Sequence, residues 1–295
     1  MKSIWSRPWL AAGVADRGLR GGFQGVHGET PRRTSRVARS ILKLVPRVSL
    51  CDYPGMMEFE RLPDDHPALA HSPLLRAARL TLGYALDHGE IGLTARKAFK
   101  RSFVHWAVDA FDWPGFGAAE AFRYNKVLNE HEFVPLQVVH FLLLERRLGR
   151  HYKGGFRPTA KGRILAASPA GLFAELIPFF ILEVDHASYG RFDEHPCGNW
   201  EIWLNVLNVK TEDGATEKEL YGAFYGEGPD WDNDGWREMA TFCQCVIKPL
   251  KWAGLVTVQD ADGDGPFARM CTKTPLWRAA LRLETDEMVQ PAMRH

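Results

Sequence analysis

The sequence predicts a mainly α-helical fold with small β-hairpins, arranged as two modules in tandem. Three observations support this prediction: apolar residues recur at helical spacing, helix-start signals precede them, and one order of elements occurs twice. The chain has 295 residues, of which 45% are hydrophobic and 25% charged. This length and composition are sufficient to bury one large core or two ordinary ones.

Three predicted helices open the first module. Ser72 can cap the first helix, and Pro73 is already in the conformation that a first helical turn requires. Thr94 is predicted to cap a second helix that runs to Phe111. Pro135 opens a third helix that is apolar nearly all round, so we expect it to be the central core helix of this module.

A β-hairpin is predicted after the third helix. An extended stretch follows Leu148, a turn is expected at Gly154-Gly155, and a second stretch ends at Thr159. Thr159 can cap the next helix because its hydroxyl can accept a hydrogen bond from a free backbone N–H group.

The same order returns in residues 236–283. An apolar helix leads into GLVTVQ, an Asp-rich turn, FARMCTKT and a closing helix capped by Thr274-Pro275. Upstream, Thr216 and Glu219 form a capping box for another helix. We interpret the two regions as a degenerate internal repeat.

The two hairpin regions carry a family resemblance. RRLGRHYKGGFRPTAKGRIL and WAGLVTVQ followed by FARMCTKTPLWRAAL resemble the end of the third helix and the wing of winged helix-turn-helix domains. The resemblance covers residues from about 70 to 295 and is shared with many bacterial proteins. It implies tandem winged-helix-like modules that bind DNA through the third helix and the wing, with protein interaction as a common second use.

Charge divides the chain into four predicted regions, although the net charge is only +1. Residues 1–55 have a net charge of +7 and are predicted to be a disordered tail. Module one, residues 56–168, is basic, with +7 between residues 72 and 168. Residues 169–195 are a predicted helical bridge with −4, and module two, residues 196–295, is acidic with −6.

The basic tail has three competing interpretations. It resembles a nucleic-acid-binding arm, an Arg-rich organelle transit peptide, or sequence upstream of a true start at Met56. The third interpretation is preferred, since the segment that begins at Met56 reads like a natural N-terminus.

Basic residues of module one are the candidate nucleic-acid-binding residues, because phosphates require cationic donors. Glu130 and Glu132 precede the third helix, where a duplex would present phosphates, so we expect contacts to the DNA backbone rather than to bases. The candidate residues are Arg96, Lys97, Lys100, Arg101, Arg150, Lys153, Arg157 and Lys161.

Two metal patterns are incomplete. The sequence DxDxDG occurs at 230–235 and 260–265, but position twelve of such calcium loops is Thr241 or Cys271 instead of a bidentate Glu, so we interpret both as turns. A zinc site would need the spacing of a structural finger, which these candidates lack: His131, His140, Cys243, Cys245 and Cys271.

The sequence contains no GxSxG, HExxH or phosphate-loop motif, and no catalytic residue, metal or cofactor is predicted. Its most apolar run, 172–184, is too short for a membrane span. The leading hypothesis is a cytoplasmic, non-enzymatic bacterial protein that binds DNA through backbone contacts. One alternative is an adaptor that binds an acidic protein or itself without nucleic acid, and another is an enzyme with no recognisable motif.

Overall fold

A computed structural model describes residues 57–123, 127–190, 194–226, 234–260 and 267–289. The described chain is mainly helical with small antiparallel sheets of two or three strands, which confirms the predicted fold class at this level. The predicted tail, residues 1–55, lies outside the described residues, as does most of the two Asp-rich turns.

Module one begins with the predicted helix Pro73–Asp87, whose cap Ser72 accepts a hydrogen bond from the backbone of Leu75 at 3.2 Å. A third strand, Ile91–Gly92, follows and was not expected from the sequence. The next helices are Arg101–Phe111, Ala118–Ala121, Val134–Glu145 and, after the hairpin, Ala160–Ala166.

The predicted start of the second helix is wrong by six residues, because the chain turns sharply at residues 94–98 before the helix begins at Arg101. The Thr94 N–H group donates to the Ala98 carbonyl at 2.8 Å, and Lys97 takes a left-handed φ of 63°. This turn brings Phe99 back beside Leu93 and buries it. Burial of an aromatic ring thus overrides a local helix-start signal.

The third helix, Val134–Glu145, is the core helix that the sequence predicted. Its hairpin pairs Gly149–Tyr152 with Gly155–Pro158, and the turn is Lys153-Gly154 rather than Gly154-Gly155. Both turn residues have positive φ, 47° and 80°, as a two-residue turn between twisted strands requires. We call residues 149–158 the hairpin of module one.

Module two repeats this order. It has helices Trp200–Lys210 and Glu217–Tyr225, a short strand Ala215–Thr216 between them, and a third helix over 235–253. This third helix contains a π-helical turn, Cys243–Ile247, just before Pro249, which has no N–H group to donate. The hairpin of module two pairs Val256–Gln259 with Met270–Lys273, and the helix Pro275–Ala280 follows.

The repeat extends to single hydrogen bonds where each third helix enters its hairpin. Leu148 donates to the Leu143 carbonyl at 2.8 Å, and Leu255 donates to the Leu250 carbonyl at 2.9 Å. The residue before each leucine, Arg147 or Gly254, has a left-handed φ. Matching bonds of 2.9 and 3.0 Å join the cap after each hairpin back to these leucines: Thr159 to Leu148, and Thr274 to Leu255.

The two modules share one continuous hydrophobic core. Trp113 of module one packs edge to face on Trp252 of module two, with ring centroids 5.1 Å apart. Strand Met57–Phe59 pairs with strand Leu281–Leu283 near the end of module two, so the first described residues contact the far end of the chain. The helix Pro169–Leu182 and the turn His186–Tyr189 lie between the modules.

Candidate nucleic-acid interface

The outer face of the module-one hairpin gathers three cations around one aromatic ring. Arg150 and Arg157 are directly opposite in the strand register, and Tyr152 lies two residues from Arg150 on the same face. The charged groups of Arg150, Lys153 and Arg157 lie 5.4, 5.3 and 5.2 Å from the centre of the Tyr152 ring. Tyr152 is 41% exposed. Such distances are typical of cation–π contacts.

The three cations differ in whether a carboxylate neutralises their charge. Arg157 forms an ion pair with Glu90, with 2.8 Å between its guanidinium and the carboxylate. Within the described ranges, Arg150 and Lys153 form no ion pair. The tip of the hairpin is therefore the part of this face with the most uncompensated positive charge.

The predicted basic residues of the second helix lie beside this hairpin, but not on one helical face. Arg96 and Lys97 belong to the turn at residues 94–98, which the Leu93 N–H group fixes beside the hairpin tip through a 2.8 Å bond to the Gly154 carbonyl. Lys100 extends along the neighbouring strand, with its chain against Gly92.

Arg101 lies at the start of its helix and donates to Asn129 Oδ1 at 2.9 Å. Lys161 is held elsewhere, because its ammonium lies 2.7 Å from the Glu175 carboxylate in the groove between two later helices. Arg146 binds the same carboxylate at 2.7 Å. Burial alone would raise the pKa of Glu175, but the hydrogen bonds and charges of Lys161 and Arg146 together lower it.

The segment of residues 169–189 lies beside both third helices. Arg146 of module one lies over the Phe179 ring at 4.7 Å, and Phe141 shares a small cavity with Phe179 and Tyr189. On the other side, the same segment contacts the third helix of module two along residues 243–253. Most residues of Val134–Glu145 and of 243–253 are buried, which leaves little of either stretch free for insertion into a DNA groove.

The expectation that Glu130 would repel phosphates at the start of the third helix is wrong. Glu130 is only 5% exposed, and its carboxylate accepts a short hydrogen bond from the Phe99 N–H group. Glu132 closes a capping box with Asn129, whose backbone N–H lies 2.6 Å from its carboxylate. Both carboxylates are occupied by internal partners, which the sequence pattern alone could not show.

A chain of polar side chains runs from Glu130 through the buried His140 to the partly buried His151 of the hairpin. The second oxygen of Glu130 lies 2.6 Å from Nδ1 of His140, and Nε2 of His140 lies 2.8 Å from Nε2 of His151. The Phe99 ring stacks on His140 with centroids 3.9 Å apart. Burial, followed by the nearby His140 and Lys97, lowers the pKa of His151. Sequence reasoning missed this chain because its members come from three separate elements.

The hairpin of module two has the same register and a different surface. Thr257 and Thr272 occupy the opposed positions held by the two arginines, and Gln259 replaces the tyrosine. The two threonine hydroxyls are hydrogen-bonded to each other at 2.6 Å. This face has no charged side chain at these positions, so the basic surface belongs to module one.

Chemistry-bearing groups outside this surface are dispersed. No cluster of three or more His, Cys, Asp or Glu side chains with metal-binding geometry occurs in the described ranges. Burial raises the pKa of the Cys245 thiol to about 12 and of Cys271 to about 12, which makes both poor nucleophiles. Burial also lowers the pKa of His186 to about 4.

No single described helix is long and apolar enough to cross a membrane. Two consecutive helices, Ala160–Ala166 and Pro169–Leu182, reach that length and composition only together, with a bend of 114° between them. Most apolar residues of the second helix are buried in the shared core.

Comparison with known proteins places both halves of the chain in one family. Residues 70–171 match the Y4jL N-terminal domain, and residues 190–275 match the y4jL C-terminal domain. Over 174 residues the chain is 37% identical to the uncharacterized protein y4jL of Sinorhizobium fredii (strain NBRC 101917 / NGR234). That alignment covers 58% of this chain and 78% of the relative. No solved structure matches the chain significantly.

Proposed function

We propose that this chain, which belongs to the Y4jL family, is a tandem winged-helix protein that binds the backbone of duplex DNA through the hairpin of module one. The observation that carries the proposal is the group of three cations around the exposed Tyr152. Arginine and lysine donors bind phosphates, and an aromatic ring among them adds a flat surface for sugars.

The order of elements supports the winged-helix assignment. Each module runs helix, short strand, helix, third helix and hairpin, and each short strand adds to its hairpin as a third antiparallel strand. In such domains the hairpin is the wing, and the third helix is the usual reader of bases.

The burial of both third helices limits the mode of binding. Because most residues of these helices are buried, we expect the hairpin and the adjacent turn at residues 94–98 to be the surfaces that meet DNA. Contacts from exposed Arg and Lys side chains to phosphates carry little sequence information. We therefore expect weak, sequence-tolerant binding that salt abolishes.

A charge reversal tests this proposal in the full chain. R150E/K153E is measured on a fluorescent duplex over a series of salt concentrations, with K210E/K218E in module two as the control of equal charge change. Each phosphate contact contributes about 0.9 to the slope of log affinity against log salt, so the first variant should lose that contribution at both positions. The control should retain the wild-type slope.

A wild-type chain that shows no binding to any duplex at low salt would overturn the proposal. An equal decrease of the salt slope in both double variants would show that binding depends on the net charge of the protein and not on the hairpin of module one.

The second candidate function is an adaptor that binds an acidic protein through the same face. The Glu90 carboxylate, bound by Arg157 at 2.8 Å, shows that this face accepts carboxylates. An acidic polypeptide such as poly-glutamate distinguishes the two functions. Binding of poly-glutamate without binding of DNA, lost in R150E/K153E, would favour the adaptor.

A further inference from the structure

The chain of Glu130, His140 and His151 occurs in only one of the two modules, although the backbone around it is repeated. His140 lies three residues before Leu143, and the residue three before Leu250 is the buried Ile247. His151 is the third residue after Leu148, and the third residue after Leu255 is Val258. Since module two forms the same backbone with apolar side chains at these two positions, packing alone does not require histidines at positions 140 and 151.

The hydrogen bonds fix where the protons lie. An ionised carboxylate only accepts, so the 2.6 Å contact with Glu130 requires a proton on Nδ1 of His140. The 2.8 Å contact between the two Nε2 atoms requires one proton between them, and one ring must accept. With both rings neutral, His151 Nε2–H donates to the bare Nε2 of His140.

The chain accommodates one added proton and not two. A first added proton can occupy Nδ1 of His151 and leaves both hydrogen bonds intact. A second would place N–H groups on both Nε2 atoms, which then repel each other at 2.8 Å. Two adjacent imidazolium ions are also disfavoured by their like charge.

We propose that Glu130, His140 and His151 form a pH-sensitive clasp that holds the hairpin of module one on its third helix until both imidazoles are charged. The charged groups that face the clasp are Glu130, from the turn before the third helix, and Lys97, from the turn at residues 94–98. Phe99 and Phe156 contribute only their rings and the Phe99 backbone N–H group. Lys97 and the first imidazolium both oppose the second charge.

The clasp links three parts of the basic surface. It joins the hairpin strand that contains Arg150 and Tyr152, the third helix, and, through the Phe99 N–H group, the end of the turn that contains Lys97. Opening the contact between His140 and His151 therefore removes the side-chain link between the hairpin and the third helix, while Glu130 remains bonded to His140. This inference concerns the fold of module one and stands independently of what the surface binds.

Amide hydrogen exchange of the full chain tests the proposal between about pH 8 and about pH 4, the range in which histidines titrate. After correction for intrinsic exchange, the amides of residues 149–152 should lose protection in acid. The amide of Phe99 should keep its protection, because its acceptor Glu130 remains bonded to His140. In H140I/H151V, which copies module two, this acid-dependent loss should disappear. H105N/H131N, which removes two exposed histidines of the same module, should behave like the wild type.

Imidazole nitrogen NMR of the wild type provides a reading that does not depend on a variant folding. We expect a scalar coupling across the bond between the two Nε2 atoms at neutral pH, and titration in two coupled steps. Two independent titrations without that coupling would overturn the proposal. An identical acid response in all three proteins would overturn it as well.

Discussion

The two hairpins of this protein share a backbone and differ in surface. Each has four paired positions in the same register, with left-handed backbone at its entry and a threonine cap at its exit. On the outer face, module one places Arg150, Tyr152 and Arg157 where module two has threonines and a glutamine. The comparison teaches that pairing and burial constrain the inner face, while the outer face is open to functional change.

The two third helices differ in backbone geometry but have similar surroundings. Both are largely buried, and residues 169–189 lie beside both. The third helix of module two nevertheless contains a π-helical turn before Pro249, which module one lacks. One neighbouring segment thus accommodates two different helices.

The largest expected effect tests whether the modules are one folding unit. Leu143→Ala and Leu250→Ala remove equivalent, fully buried side chains, and each should lower the free energy of unfolding by about 2–5 kcal/mol. Because the core is continuous, urea unfolding should remain a single transition in both variants. Two separate transitions, one moved by each variant, would show that the modules fold independently.

A smaller effect on stability is expected from a partly buried lysine that occurs in the third helix of module two and not in that of module one. Lys248 of module two stands where module one has Phe141, and burial lowers the pKa of its ammonium to about 8. The folded state therefore releases this proton more easily than the unfolded chain, whose lysine pKa is near 10.5. The charged group costs stability below pH 8, and this cost decreases as the pH rises through the interval between the two values.

Lys248→Met should accordingly raise the free energy of unfolding at neutral pH by roughly 1–3 kcal/mol. The difference in free energy of unfolding between Lys248→Met and the wild type should decrease as the pH approaches 10.5. Chemical denaturation at several pH values would measure this difference. Lys251→Met is a control for the loss of a lysine charge in the next turn, where burial also lowers the lysine pKa. A loss of stability in Lys248→Met would show that the 3.0 Å bond to Gln244 and the Trp252 contact outweigh the burial of charge.

The smallest expected effect concerns the threonine caps. Thr159→Ala and Thr274→Ala each remove a hydroxyl that donates to the preceding helix exit and accepts from the next helix. Each should cost about 1 kcal/mol in thermal or urea unfolding, with the larger cost at the buried Thr274. The matching serine variants should retain most of the stability. A loss of stability in only one of the two alanine variants would show that the two threonine caps are not equivalent.

The sequence predicted the repeat because its signals are local. Caps at Ser72, Thr159 and Thr274 stand beside the residues that they serve, and apolar spacing identifies the third helices. The turn at residues 94–98 was missed, because Thr94 is a residue typical of helix N-caps. Only the tertiary structure shows that the chain turns there and buries Phe99. The short strands Ile91–Gly92 and Ala215–Thr216 were missed for a related reason, since two residues have no periodicity to detect.

Sequence by itself determined the order of elements, the charge of each module and the basic residues at the hairpin, because each depends on residues close together in the chain. Tertiary structure alone decided which of those cations meet: Arg150, Lys153 and Arg157 surround Tyr152, while Lys161 is held by Glu175. It also decided that Glu130 is buried against His140 instead of facing solvent. The physical reason is that ion pairs and buried hydrogen bonds depend on distances of a few ångströms between side chains, and folding sets these across separations that no local pattern encodes.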